Sequence, residues 1–265
     1  MDGCLYNLFS AKILPFSREF FIFLLSLHTQ RMEEMNQTIN EILTGERLHT
    51  CPDLMAFIRQ TGFLPLLACG IEGFSADELV DEECRYVVFP DGGWDWPMWK
   101  WKGPIVTDGG FAYGKFFAGK AGFITQEWWP DFCNYRRSIH PLPEEGTVED
   151  AILAVLRDHG SMITRELRAA CGFTGPKMRS RFDAYVTRLQ AACRVVTEDF
   201  IYPRDRHGQE YGWGWALLAL PEQLYGREAC QCNRTPEASH DRIIQHLRTL
   251  LPATPESQLQ RLIAG

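Results

Sequence analysis

Apolar residues at Leu54, Met55, Phe57 and Ile58 form the inward face of a predicted helix, which Thr50 caps and Gly62 ends, with Pro52 and Asp53 suiting its first turn. A shorter helix is predicted upstream, over residues 36–43, stopped by Gly45. The run FLPLLAC at 63–69 is apolar and broken by Pro65, and Ser75 with Glu78 makes a capping box that predicts another short helix. YVVF at 86–89 reads as a strand and residues 90–93 as a turn. Trp94 and Trp96, then Trp99 and Trp101, alternate with polar residues around Pro97, the period of two of a strand. Ile105 with Val106, and FAYGKFF at 111–117, are further predicted strands joined by a turn at 107–110. Thr125 is expected to cap a helix carrying Glu127, Trp128, Trp129, Phe132 and Cys133, with Pro130 inside it or cutting it short.

Residues 141–146 (PLPEEG) are the clearest linker, and a domain boundary is expected there. Thr147 and Asp150 then cap a helix with Ile152, Leu153, Val155 and Leu156 inward and Gly160 at its end. Thr164 is expected to cap a short second helix ending at Cys171 and Gly172. The third helix, about 177–192, carries Met178, Phe182, Tyr185, Val186 and Leu189 as a buried stripe and Lys177, Arg179, Arg181 and Arg188 on its other face. Residues 195–201 and 211–220 read as the strands of a hairpin whose polar turn holds Arg204, Arg206 and His207. Helix, short helix, helix and hairpin is the winged-helix order, in which the third helix reads a major groove and the hairpin touches the backbone. The predicted class is therefore α+β. A helical and β region rich in tryptophan spans 32–140, a winged-helix domain spans 147–226, and C-terminal helices at 236–265 are expected to pack on the winged domain. Residues 1–31 are read as an upstream extension outside the core.

Composition changes this picture in three places. The chain of 265 residues is ordinarily globular at 45% apolar and 23% charged, and its net charge of −7 argues against a general nucleic-acid coat. The charge is uneven: residues 32–93 hold twelve acids against three bases, whereas 100–137 and 177–206 are each net +3. A phosphate-bearing partner would find local basic surfaces. Nine cysteines are scattered, and Cys230 with Cys232 is a lone C-x-C, too little for a zinc site. Reduced thiols of a cytoplasmic monomer, with no metal and no cofactor, are expected. The apolar run FFIFLLSL at 20–27 is too short to span a membrane, and no small-x-small site follows, so the functional chain is read as starting near Met32 or Met35.

Six of the eight tryptophans lie between residues 94 and 129, interleaved with lysines, in the string WDWPMWKWK at 94–102 and the pair Trp128 and Trp129. Around them stand FLPL at 63–66, GFS at 73–75, AYGKFF at 112–117, KAGFIT at 120–125, WPDF at 129–132, NYRR at 134–137, Phe182 with Asp183, Leu189 with Gln190, YGW at 211–213 and Pro221 with Glu222. In this order these strings resemble the AlkZ-related proteins, relatives of the AlkZ DNA glycosylases, over roughly residues 36–226. The resemblance implies tandem winged-helix elements with a small β-barrel, double-stranded and damaged DNA as partner, and monofunctional excision of alkylated or crosslinked purines. It also implies a Gln-x-Asp or Gln-x-Gln pair in the N-terminal third. Here Gln60 is followed by Thr61 and Gly62, and the Gln-x-Gln at Gln258 and Gln260 lies at the far C-terminus, so catalysis does not carry over residue by residue.

A glycosylase needs a carboxylate or amide beside an aromatic-walled cleft, to steady a developing sugar cation and position water. Asp95, Glu127 and Asp131 are the candidate catalytic acids, with Asp91 also close to the aromatic stretch; each has the plainer reading of a turn or cap residue. Lys115, Arg136, Arg137, Lys177, Arg179, Arg181, Arg188, Arg204 and Arg206 are candidate DNA contacts, with surface ion pairs as the alternative. Trp94, Trp96, Trp99, Trp101 and Tyr113 are candidate stacking residues, with core packing as the alternative. Three readings remain open: a repair-related DNA binder, active or not; a non-catalytic winged-helix module for DNA or protein; and a small-molecule pocket built on the tryptophans.

Overall fold

A computed structural model describes residues 47–90 and 92–265, with Ser26 and Gln30 as isolated helical positions. Apart from those two positions, the expected extension over 1–31 with its apolar run, the helix over 36–43 and Asp91 lie outside the described residues. The chain separates into units 1–38 and 39–265, and all that follows concerns the second.

Helix α1 (Cys51–Thr61) begins and ends as its sequence predicts. The Thr50 hydroxyl accepts from the Asp53 amide at 3.2 Å, the Asp53 carboxylate accepts from the Thr50 amide at 3.0 Å, and Gly62 closes the helix at φ +76°. A side chain at Gly62 would also put its Cβ 2.4 Å from the Trp128 ring, so glycine is required here twice over. Strand β1 (Phe63–Pro65) follows, then two single-turn helices, α2 (Ala76–Leu79) and α3 (Glu82–Arg85), and a small hairpin of β2 (Val87–Val88) and β3 (Trp94–Asp95).

The tryptophan-rich string is where the strand prediction fails. Residues Pro97–Thr107 form helix α4, including Ile105 and Val106, which were expected to be extended. Pro97 suits the first turn, and Met98, Lys102, Ile105 and Val106 recur at helical spacing and are buried. The alternation of tryptophans reflects two different elements: Trp94 belongs to β3, Trp96 is the residue before the helix, and Trp99 and Trp101 lie on different sides of α4. Strands β4 (Ala112–Phe117) and β5 (Lys120–Ile124) then pair antiparallel, and β1 joins as an edge strand, where Pro65 costs no ladder bond. Helix α5 (Trp129–Ile139) starts later than expected, with Pro130 in its first turn. Thr125 does not cap it; the Thr125 carbonyl accepts from the Trp128 and Trp129 amides at 3.1 and 3.0 Å.

Beyond residues 141–146, which form neither helix nor strand, come α6 (Val148–His159), β6 (Met162–Ile163), α7 (Thr164–Ala170), a 3-10 turn (Pro176–Met178), α8 (Arg179–Ala191), β7 (Val196–Ile201) and β8 (Trp215–Ala219). The three strands form an antiparallel sheet in the order β6-β8-β7. Strand β6 escaped sequence reading because two residues carry no period. Thr164 is the first residue of α7, not its cap; its hydroxyl donates to the Ala216 carbonyl at 2.9 Å and ties the helix to β8. The returning strand is shorter than 211–220, because Gly212 and Gly214 at φ +77° and +72° turn residues 211–214 into a loop. Ile152, Leu156, Leu167, Phe182, Leu189, Val195 and Leu218 make a core of this half, with Tyr185 at its margin and Met178 exposed instead of buried.

The two halves are locked at the end of α8. Gln190 accepts from the Lys115 amide at 3.2 Å and donates to Thr197 at 3.3 Å, so one buried side chain joins β4, α8 and β7. After a short helix α9 (Pro221–Leu224), the chain ends in α10 (Pro236–Leu250) and α11 (Glu256–Ala264). These do not pack mainly on the 147–220 half, as expected, but return to the N-terminal half. Helix α10 lies along α5, and His246 stacks on Trp128 at 4.3 Å while donating to the Thr61 carbonyl at 2.8 Å. The apolar stripe of Ile243, Ile244, Leu247 and Leu250 is buried, and His246 of the same helix meets the rings of Phe63 and Trp128. The fold is α+β, and no helix among the described residues is long and apolar enough to cross a membrane.

Candidate nucleic-acid interface

The hairpin β2–β3, the start of α4 and the loop at 211–214 meet in one aromatic cluster. Trp94 stacks on Tyr86 at 5.7 Å and meets Trp213 at 5.5 Å; Trp96 and Trp99 lie 4.9 Å apart, with Trp213 edge-on to both. Trp99 Nε1 and Lys102 Nζ both donate to the Trp213 carbonyl, at 3.2 and 3.1 Å. The Lys102 amine is buried, 3.4 Å from the centre of the Trp99 ring and 4.3 Å from that of Phe200, and its burial lowers it to about 7. Tyr86, Trp94 and Trp213 are each about half exposed, so the cluster has an open aromatic face.

Trp94 thus sits outward, Trp96, Trp99 and Trp101 are half-buried, and Tyr113 is not available for stacking. Tyr113 is wedged between Phe123 and Phe200, and burial raises its hydroxyl well above the usual range. Sequence reading missed Trp213 and Tyr86 as members. Trp213 stands 114 residues from Trp99, and only the fold brings it there.

The candidate DNA contacts divide sharply. Arg136 and Arg137 are structural. Arg136 is fully buried, donating to the carbonyls of Ala191 at 2.7 Å and Ile263 at 2.9 Å, and Arg137 donates to the Cys193 carbonyl at 2.7 Å and pairs with Glu222 at 2.6 Å. Lys115 donates to the Thr187 hydroxyl at 3.0 Å, and Arg188 is clamped by Glu149 at 2.6 and 2.9 Å. Arg204 pairs with Glu210 at 3.0 Å across the hairpin, and Arg206 donates to His207 at 3.0 Å. At the start of α8, Lys177, Arg179 and Arg181 are exposed; Arg179 approaches Asp183 at 3.9 Å, and Lys177 and Arg181 make no ion pair among the described residues.

The candidate acids are all engaged. Asp95 accepts from Lys100 at 2.7 Å and from the Trp96 amide at 2.8 Å, and the Lys100 hydrogen bond lowers its pKa. Glu127 is exposed, 3.6 Å from Arg242. Asp131 is buried at the floor of an open basin of about 500 Å³ between α5 and α10. Burial raises its pKa, but hydrogen bonds from Ser239, Cys232 and Arg242 outweigh that and leave it lowered. Ser239 donates at 2.8 Å, Cys232 and Arg234 at 3.2 Å, and Arg242 also bonds to it and covers the Trp128 ring at 3.8 Å. A carboxylate so fully occupied is an anchor for two arginines. Among the described residues, no three His, Cys, Asp or Glu side chains come together to hold a metal.

A family model described as AlkZ related matches residues 48–264. The chain belongs to the AlkZ-related family. No curated protein and no solved structure matches it. In this AlkZ-related chain Gln60 lies in the last turn of α1 with a buried side-chain oxygen that has no hydrogen-bond partner among the described residues, while Gln260 is exposed and bonded to Glu256 at 3.1 Å. The three glutamines that sequence reading compared with the glycosylase pair thus stand on different helices, Gln60 on α1 and Gln258 with Gln260 on α11.

Proposed function

We propose that residues 147–220 are a winged helix and that the protein is a repair-related duplex-DNA binder without glycosylase chemistry of its own. The observation that carries the reading is the pair of uncompensated cations, Lys177 and Arg181, at the exposed start of α8, the helix that such a domain lays in a major groove. The order α6, β6, α7, α8, β7, β8, with its three-stranded sheet, supports it. Loop 211–214 of the hairpin carries Trp213 into the open aromatic face, where an unpaired or flipped base could stack. The non-catalytic part rests on Asp95 and Asp131, each bound by neighbouring cations, and on Glu127 lying exposed. A small-molecule pocket among the tryptophans is disfavoured because the rings fill the space with one another, at 4.9 to 5.5 Å.

The test is anisotropy on plain, abasic and N7-alkylated duplexes across a salt series, with alkali cleavage in parallel. Binding that falls with salt is expected, without alkali-labile breaks. Lys177→Ala with Arg181→Ala should reduce the log–log salt slope by about two, at roughly 0.9 per phosphate contact. An unchanged slope would remove α8 from the interface, and breaks on alkylated duplex would restore an enzyme.

A further inference from the structure

A second basic feature lies beside the α8 surface, and none of the candidate contacts beyond Arg179 belongs to it. A notch of about 150 Å³ opens between α7, the start of α8 and the first residue of β8. Arg165, Arg168 and Arg179 line it with Asp183, Thr164 and Trp215, three positive charges against one negative. The lone acid compensates little: Asp183 is 3.9 Å from Arg179, beyond hydrogen-bond reach. Arg165 and Arg168 make no ion pair among the described residues. The Thr164 hydroxyl is already committed to the Ala216 carbonyl. Arg165 is not loose, however; its guanidinium lies over the Trp215 ring at 4.9 Å, which fixes the plane in which its donors can reach.

Like charges held around a small concavity repel one another unless an anion enters. Guanidinium groups meet phosphate oxygens through paired, charge-assisted hydrogen bonds. The concavity is too small for a nucleoside and large enough for one tetrahedral oxyanion. We propose that this notch binds a single phosphate group, with Arg165 and Arg168 as its principal donors, Arg179 at its rim and Trp215 as its wall. On the duplex-binding reading above, from which this source follows, the occupant is a backbone phosphodiester next to the groove that α8 enters. The same chemistry would accept a free phosphate, and the experiment separates the two.

Salt slopes on plain duplex would be measured for the wild type and for Arg168→Ala, a variant that leaves the packing of Arg165 on Trp215 in place. Inorganic phosphate would be titrated in parallel while the arginine Nε–H resonances are followed by NMR. The proposal expects a slope smaller by about one for Arg168→Ala, and phosphate-dependent shifts of the Arg165 and Arg168 signals. Duplex binding with an unchanged slope and no shifts would overturn the notch and leave α8 standing as the DNA face. Phosphate shifts without duplex binding would keep the notch as a free-phosphate site and overturn the duplex reading. Absence of both would overturn both.

Discussion

Replacement of Arg136 by methionine is expected to destabilise the protein by about 3–5 kcal/mol, as one buried charged group with two hydrogen-bonded partners is removed. Arg136 is fully buried and makes no ion pair with an acidic side chain among the described residues, which would ordinarily be costly. Burial lowers its pKa for that reason. What holds the charge is a pair of helix ends. Ala191 is the last residue of α8 and Ile263 the penultimate residue of α11, and both turn carbonyls to the guanidinium at 2.7 and 2.9 Å. The negative ends of two helix dipoles thus stand in for an acid, each worth up to about 2 kcal/mol in partly buried geometry. Methionine fills most of the volume over Phe132 but leaves two buried carbonyls without a donor. Urea unfolding of both proteins at neutral pH measures the loss. A change below about 1 kcal/mol would mean that the helix ends do not depend on the arginine. If the protein binds duplex DNA as proposed, the folded variant should keep the wild-type salt slope, in contrast to the phosphate-contact role suggested by Arg136 standing next to Arg137 in the sequence.

Stability should also climb with pH above neutrality because of Lys102, and Lys102→Met should abolish that climb. The folded amine is lowered from the ordinary 10.5 to about 7 by burial. Between those values the unfolded chain binds the extra proton and the folded chain does not, so stability rises as pH rises across this window. Below about 7 both states are protonated, and the full cost of burying the cation is present. A lowering of 3.5 pH units (10.5 − 7) corresponds to about 5 kcal/mol at 1.36 per unit. A gain of about 3 kcal/mol between pH 7 and 10 is expected. Lys102→Met should therefore be the more stable protein at pH 6.5, and its advantage should shrink by pH 9.5. Parallel pH profiles for the two proteins would show that the amine stays charged and solvated. The lost hydrogen bond to the Trp213 carbonyl is a small correction, because that half-exposed loop can bind water instead.

Legibility in the sequence followed the range of the interaction. The caps of α1, α2 and α6 were readable because each is closed by side chains and backbone three residues apart: Thr50 with Asp53, Ser75 with Glu78, Thr147 with Asp150. Apart from β6, the order of elements from 147 to 220 was readable because its longer helices show a period and its hairpin strands are bounded by turn residues. Helix α4 was misread because four tryptophans drew attention to a period of two, while the deeper signal, Met98, Lys102, Ile105 and Val106, included a lysine that no apolar pattern would count. Thr125 and Thr164 had cap chemistry but missed the N-cap positions, which fall at Trp128 and Ile163.

By itself, then, the sequence determined where the local turns and helix starts fall, the α+β class, the family, and the excess of cations in 177–206. These depend on neighbours along the chain or on strings compared one with another. Only the tertiary structure decided which cations are free. Arg136 and Arg137 were indistinguishable from Lys177 and Arg181 as letters, yet the first pair is spent on carbonyls and Glu222 and the second pair faces solvent. The same holds for Asp131, taken up by residues 101 to 111 positions away, and for Trp213, brought onto Trp99 from the far hairpin. Burial and partner choice are properties of the whole packed chain, and a side chain's availability for chemistry follows from them.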